Sequence, residues 1–105
     1  MSARERLPNK RASVSFELEL NGLRYTATFS RFADGRIGEL FLNNHKSNSQ
    51  ADTNARDSAI VFSFAVQHGA DPEAIRKALC RDSQGRASGV LGAALDIITE
   101  QERVS

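Results

Sequence analysis

The feature that most constrains this chain is a pair of alternating segments joined by Asn21-Gly22. Before the junction, Val14, Phe16, Leu18 and Leu20 alternate with Ser15, Glu17 and Glu19. After it, Leu23, Tyr25, Ala27 and Phe29 alternate with Arg24, Thr26 and Thr28. A period of two puts each apolar set on one face of an extended strand. Asn-Gly supplies two adjacent residues that tolerate the positive φ of a type I′ turn, whose twist suits two paired strands. These residues predict a hairpin with one apolar and one polar face. Asp34-Gly35 marks a second reversal, and residues 37–42 read as a third strand. In that strand Ile37 and Phe41 run out of phase with Leu40 and Leu42. It is therefore expected to be covered on both faces, with a partner chain as one candidate cover.

Residues 43–54 are polar, and the run Ala-Arg-Asp-Ser-Ala-Ile-Val-Phe-Ser-Phe-Ala-Val-Gln-His-Gly follows from Ala55. Ser49 with Asp52 three residues on fits a capping box, in which each side chain satisfies an orphan backbone N–H. Ala59, Ile60, Phe62, Ala65 and Val66 surround most of the helix, which predicts a buried centrepiece. Gly69 closes it, since glycine takes a left-handed cap without a Cβ clash. Asp71-Pro72-Glu73 opens a second helix with an N-cap, an early proline and an early acid, running to about Cys80. A polar loop leads to Ser88, read as the cap of a last helix with an apolar stripe of Leu91, Ala94, Leu95 and Ile98. No internal repeat is evident. The expected fold is α+β: a three-stranded antiparallel β-meander followed by a long buried helix and two shorter ones (βββααα). Residues 13–99 form the single domain, residues 1–12 a flexible, solvated basic arm, and residues 100–105 a tail.

Composition narrows the function. Lys and Arg number 14 against 13 acidic residues, a net charge of +1, so nucleic-acid binding through a general basic field is disfavoured. The arm carries Arg4, Arg6, Lys10 and Arg11, diluted by Glu5. A single cysteine, Cys80, excludes an internal disulfide and a cysteine-rich zinc site. No apolar run approaches the roughly 20 residues that span a bilayer, and the first residues lack the apolar stretch of a secretory signal. A cytoplasmic protein with no membrane contact is expected.

The candidate site is the start of the long helix, where His45, Lys46, Ser47, Ser49 and Arg56 gather cations and hydroxyls. Free N–H groups and the macrodipole make such an end an anion site. A phosphate or nucleotide would find Lys46 and Arg56 for charge, and Ser47 or Ser49 for hydrogen bonds. The competing reading needs no ligand: Ser49 only caps, and Asp52 pairs with Arg56 at i,i+4. His68, in the last turn before Gly69, reads as a ligand for end carbonyls. His45 and His68 lie at opposite ends of a helix of roughly 18 residues, roughly 20 Å or more apart at about 1.5 Å per residue, too far to share a metal within one chain. Cys80 is expected as a small buried apolar residue. Asp57 is expected against the sheet with Arg24 or Arg31 as its partner. No Ser-His-Asp set, paired catalytic acids or P-loop can be assembled, so no catalytic residue, metal or cofactor is assigned. The one catalytic arrangement left is an enzyme built across an oligomer interface from His45 and Asp57 of different chains.

The order of meander, polar loop, buried helix and Asp71-Pro72-Glu73-Ala74-Ile75 resembles the TSCPD domain. That domain is found at the C-terminal end of adenosylcobalamin-dependent ribonucleotide reductases and in short free-standing proteins. The likeness covers roughly residues 13–80. It is carried by the strand pair around Asn21-Gly22, the Asp34-Gly35 turn, Ala55-Arg56-Asp57-Ser58-Ala59 and Gln67-His68-Gly69-Ala70. Residues 85–98 also look like the tail of the free-standing relatives. The family's Thr-Ser-Cys-Pro-Asp stretch is absent here, and the loop before the long helix has no cysteine. The metal and redox roles suspected of the family's cysteines are therefore not implied. What the resemblance implies is an accessory or regulatory protein of ribonucleotide reduction and DNA precursor synthesis. It would not be catalytic alone, and would dock the reductase large subunit or sense a nucleotide or phosphate. The alternative is an oligomeric interaction module unrelated to nucleotide metabolism. The two-sided third strand adds the expectation of a homodimer joined through the sheet.

Overall fold

The computed structural model describes residues 4–9 and 12–104. Strands β1 (Ser13–Leu20), β2 (Leu23–Arg31) and β3 (Ile37–Asn44) precede helices α1 (Gln50–Gln67), α2 (Pro72–Ala78) and α3 (Val90–Val104). The strands form one antiparallel sheet in the order β1-β2-β3, the meander expected from the alternation. Asn21 (φ 53°) and Gly22 (φ 78°) make the first reversal. Its register sets Leu18 opposite Tyr25 and Phe16 opposite Ala27, all on the face that the helices cover. Phe16 and Phe29 meet edge to face there, ring centroids 6.3 Å apart. Val14, near the open end of the hairpin, and Leu23, beside its turn, stay about half exposed.

A bulge resolves the out-of-phase third strand. Ser30 pairs with Glu39 but Arg31 pairs with Ile37, so β3 carries one extra residue, Gly38. An extra residue reverses the alternation. Ile37, Leu40 and Leu42 thus all turn to the helical face and are buried, while Phe41 lies half exposed on the other. The sheet is covered on one face only. Glycine at the bulge leaves room for its neighbours: a Cβ would meet Leu7 Cδ2 at 2.6 Å and the Phe32 ring at 3.1 Å, so Leu7 would have to move.

The outer edge of β3 is closed by α1. Alternate residues of an edge strand direct their N–H and C=O groups away from the sheet, and here side chains on one face of α1 receive them. Asp52 Oδ1 accepts the Asn44 N–H (3.0 Å). The Ser63 hydroxyl accepts the Leu40 N–H (2.9 Å) and donates to the Leu40 carbonyl (3.1 Å). Gln67 Nε2 donates to the Gly38 carbonyl (2.8 Å). Ala55 and Ala59, almost fully buried, let the helix approach closely, and Phe62 and Val66 enter the core. The opposite face is not buried: Ile60, Val61 and Phe64 are more than half exposed, so α1 is a one-sided cover and not an all-round centrepiece.

α3 lays Ala94, Leu95 and Ile98 into the same core, with Leu91 half-buried beside them. Its first carbonyl acceptor is Gly89, which takes the Ala93 N–H, so the cap falls one residue after the expected Ser88. It continues to Val104, which makes most of the expected tail helical. α2 is capped by Asp71 as expected but buries no residue. Ile75 and the following Leu79 pack against the core half-buried, and ion pairs add to this: Asp96 of α3 accepts from Arg76 (2.9 Å) and from Arg81 (2.8 Å), and Arg76 also grips Glu73. Cys80 is exposed, against the buried role expected of it.

The described part of the basic arm rests on the domain. Glu5 N–H donates to the Gln67 carbonyl, Arg4 to the Gln67 side chain, and the Glu5 carboxylate receives Arg36 at 2.8 Å. Residues 1–3 and the arm's Lys10 and Arg11 lie outside the described residues.

If α1 takes the place of a fourth strand, its edge-facing polar groups matter as well as its core. Phe62→Ala is expected to destabilise by about 3–5 kcal/mol. Ser63→Ala, which orphans the Leu40 N–H and C=O, is expected to cost about 1–3 kcal/mol. Urea unfolding checks both, and an unchanged midpoint for Ser63→Ala would contradict the edge-capping role.

Candidate functional site

At the start of α1, Ser49 is extended (φ −90°, ψ 164°), the conformation of an N-cap. Its hydroxyl accepts the Asp52 N–H (3.1 Å) and donates to the Lys46 carbonyl (2.7 Å). Only half of the expected capping box forms. Asp52 does not return to the Ser49 backbone: one carboxylate oxygen takes the Asn44 N–H and the other takes Arg56 Nε at 3.0 Å. Asp52 is buried, 4% exposed. The Asn44 N–H, and then the Arg56 guanidinium, hold its carboxyl below the usual carboxylate range. A carboxylate of the protein itself thus stands at the helix end where an external anion would bind.

The five candidate side chains are not gathered there. Ser49 is consumed by capping and Arg56 by Asp52. His45 turns onto the open face of the sheet, with Nε2 3.1 Å from Glu17 Oε1 and 3.1 Å from Thr26 Oγ1. It therefore bridges all three strands. Lys46 and Ser47 remain exposed in the loop. Asn44 Oδ1 orders that loop by accepting the Lys46 N–H at 2.8 Å. Its Nδ2 is buried with no hydrogen-bond partner among the described residues.

The other candidates are structural or solvated. His68 is the C-cap of α1, with Nδ1 2.8 Å from the Phe64 carbonyl and Gly69 (φ 100°) following. Asp57, expected against the sheet, is exposed, because α1 turns its 55/59/62/66 stripe inward and that sends residue 57 to solvent. Among the described residues no group of three or more His, Cys, Asp and Glu could hold a metal ion. No described helix is long and apolar enough to cross a membrane.

A depression of about 370 Å³ lies between the second turn and α2–α3, lined by Arg31, Arg36 and Arg76 among others. Each of these cations is already matched: Arg31 by Glu102 (2.7 Å), Arg36 by Asp34 and Glu5, and Arg76 by Glu73 and Asp96. Its walls are charged but balanced, unlike an anion cradle. What the polar-residue reading missed is an apolar surface. Ile60, Val61 and Phe64 follow one another along the exposed side of α1, and Phe41 extends the strip from β3. The signal is in the sequence, because residues 57, 60, 61, 64 and 68 recur at helical spacing opposite the 55/59/62/66 stripe.

Comparison with known proteins gives a direction. The chain is similar to the vitamin B12-dependent ribonucleotide reductase of Agrobacterium fabrum, 33% identical over 66 residues, which is 63% of this chain and 5% of that protein. It is also similar to the enzyme of the same name from Bradyrhizobium diazoefficiens, 28% identical over 69 residues, 66% of this chain and 6% of that one. The chain thus spans about a twentieth of the length of these curated relatives and is a weak homologue of a small part of them. No family model matches it, and no solved structure does.

Folding depresses the Asp52 pKa, so its contribution to stability is present above the ordinary value of 3.8 and is lost as pH falls through the folded value. Asp52→Asn is expected to lower the urea midpoint at about pH 7 and to converge with wild type as pH falls below the depressed folded value. A gap that stays constant over that range would show that the ionised carboxylate does not hold the β3–α1 junction.

Proposed function

We propose that this chain is an accessory or regulatory protein of ribonucleotide reduction, built on the TSCPD-like module of the B12-dependent reductases and acting by docking and not by its own catalysis. The observation that carries the reading is the similarity to about a twentieth of those enzymes, confined to a length that one small domain fills. The side chains support it. His45, Arg56 and Ser49 are spent on structural partners, and the described side chains gather no convergent reactive set. Nucleotide capture at the start of α1 is the lesser part of the reading, resting on Lys46 and Ser47, and it must work beside the Asp52 carboxylate.

The test is retention of the tagged chain on an adenosylcobalamin-dependent reductase, with parallel calorimetric titration of ribonucleoside and deoxyribonucleoside di- and triphosphates. Saturable retention of the reductase is expected, with nucleotide binding weak and reduced further by Lys46→Ala. Absence of binding to both the reductase and every nucleotide would overturn the proposal and leave an interaction module unrelated to nucleotide metabolism.

A further inference from the structure

We propose that the exposed strip of α1 is a self-complementary interface on which a second copy of this chain lays its own α1, antiparallel and related by a two-fold axis. In that arrangement Val61 meets the partner copy's Phe64, and Asp57 meets the partner copy's His68.

The strip is apolar, contiguous and outside the buried core. Val61 is 68% exposed, Phe64 52%, Ile60 51% and Phe41 50%. Scattered exposed apolar residues are ordinary, but a continuous apolar patch on a small domain marks a contact surface. Phe41 and Ile60 together wall two grooves, one of about 320 Å³ toward Arg56 and one of about 140 Å³ where Phe64 joins them. The core takes its contacts from the opposite side of α1, so these four side chains lie outside it, and of them Phe64 also carries the His68 ring and the Arg4 guanidinium.

The order of charge along the strip selects a second copy as the occupant. At its N-terminal end stands Asp57, exposed and with no partner among the described residues. At its C-terminal end stand His68, its ring stacked on Phe64 at 6.1 Å, and Arg4, its guanidinium 5.0 Å from the same ring. A strip with the Asp57 carboxylate at one end and the Arg4 guanidinium beside the His68 imidazole at the other complements itself when reversed. Reversal about the point midway between residues 57 and 68 pairs 57 with 68 and 61 with 64. Polar ends meet opposite charge while the apolar middle meets itself, and the two helix dipoles oppose. Arg56 and Glu39, which border the grooves, are already engaged within the monomer. The β3 edge carries the Asp52, Ser63 and Gln67 side chains of α1, so a second copy does not pair there.

Sedimentation velocity on the full chain over a micromolar concentration series tests this, with circular dichroism and urea unfolding as checks on folding. Wild type is expected to dimerise and Val61→Glu to stay monomeric at every concentration while remaining folded. Asp57→Lys and His68→Glu should each weaken self-association by about tenfold or more, since each puts like charges together. Mixed in equal amounts, these two variants should form a heterodimer with both pairs again complementary, restoring association to near the wild-type level. A monomeric wild type, a Val61→Glu dimer of unchanged affinity, or failure of the mixture to associate would each overturn the proposal. The measurement contains no reductase, so it stands or falls apart from the docking function.

Discussion

The structure depends on how an edge strand is closed. A three-stranded meander leaves the outer backbone groups of its last strand exposed, and unpaired edges invite aggregation. Here a helix does the work of a fourth strand. Asp52, Ser63 and Gln67 stand eleven and four residues apart, about three turns and one turn, and so share one side of α1. They reach Asn44, Leu40 and Gly38 along β3. Packing follows from this: alanines at 55 and 59 allow the close approach, and Phe62 and Val66 fall into the core. The same placement fixes which side of α1 faces solvent, so the apolar strip is a geometric consequence of the edge closure.

The second dependence is electrostatic. α2 fully buries no residue, and beyond the half-buried Ile75 and Leu79 it and the loop after it are held to α3 by Asp96. Arg81 and Arg76 keep that carboxyl below the usual range, and the carboxylates hold Arg76 more firmly protonated. The loop itself repeats a local solution found between β2 and β3. Arg31 donates to the Gly35 carbonyl and Arg81 to the Gly85 carbonyl, each glycine has positive φ, and each turn is closed by a backbone bond to the following arginine, 36 or 86. The matching Arg-x-x-x-Gly-Arg spacing was present to be read, although the second copy passes for plain polar loop when strands alone are sought.

Functionally, the domain invests its polar chemistry in holding itself together. Residues that look like ligand binders by composition serve as caps, latches and cross-strand bridges, and the surface left over is apolar with a charge gradient. In the function proposed for it, such a module acts through contact, and the chain's similarity is to a small part of much larger reductases.

The meander, its first turn and the helix order were legible in the chain alone because their causes are local. Asn21-Gly22 sets a register, a period of two sets a face, and Asp71-Pro72 starts a helix whatever surrounds it. The candidate site was not legible, because its side chains choose partners distant in sequence. His45 closes on Glu17, 28 positions earlier, and Asp52 turns from its own helix cap to β3. The Gly38 bulge, which reverses the inward face of β3, shows in the chain only as the out-of-phase run of Ile37 against Leu40 and Leu42, which read locally suggests a strand covered on both faces. Likewise a helix apolar on nearly all sides does not declare which side is roofed. Only the docking of α1 on the β3 edge decided that Phe62 would be core and Val61 surface.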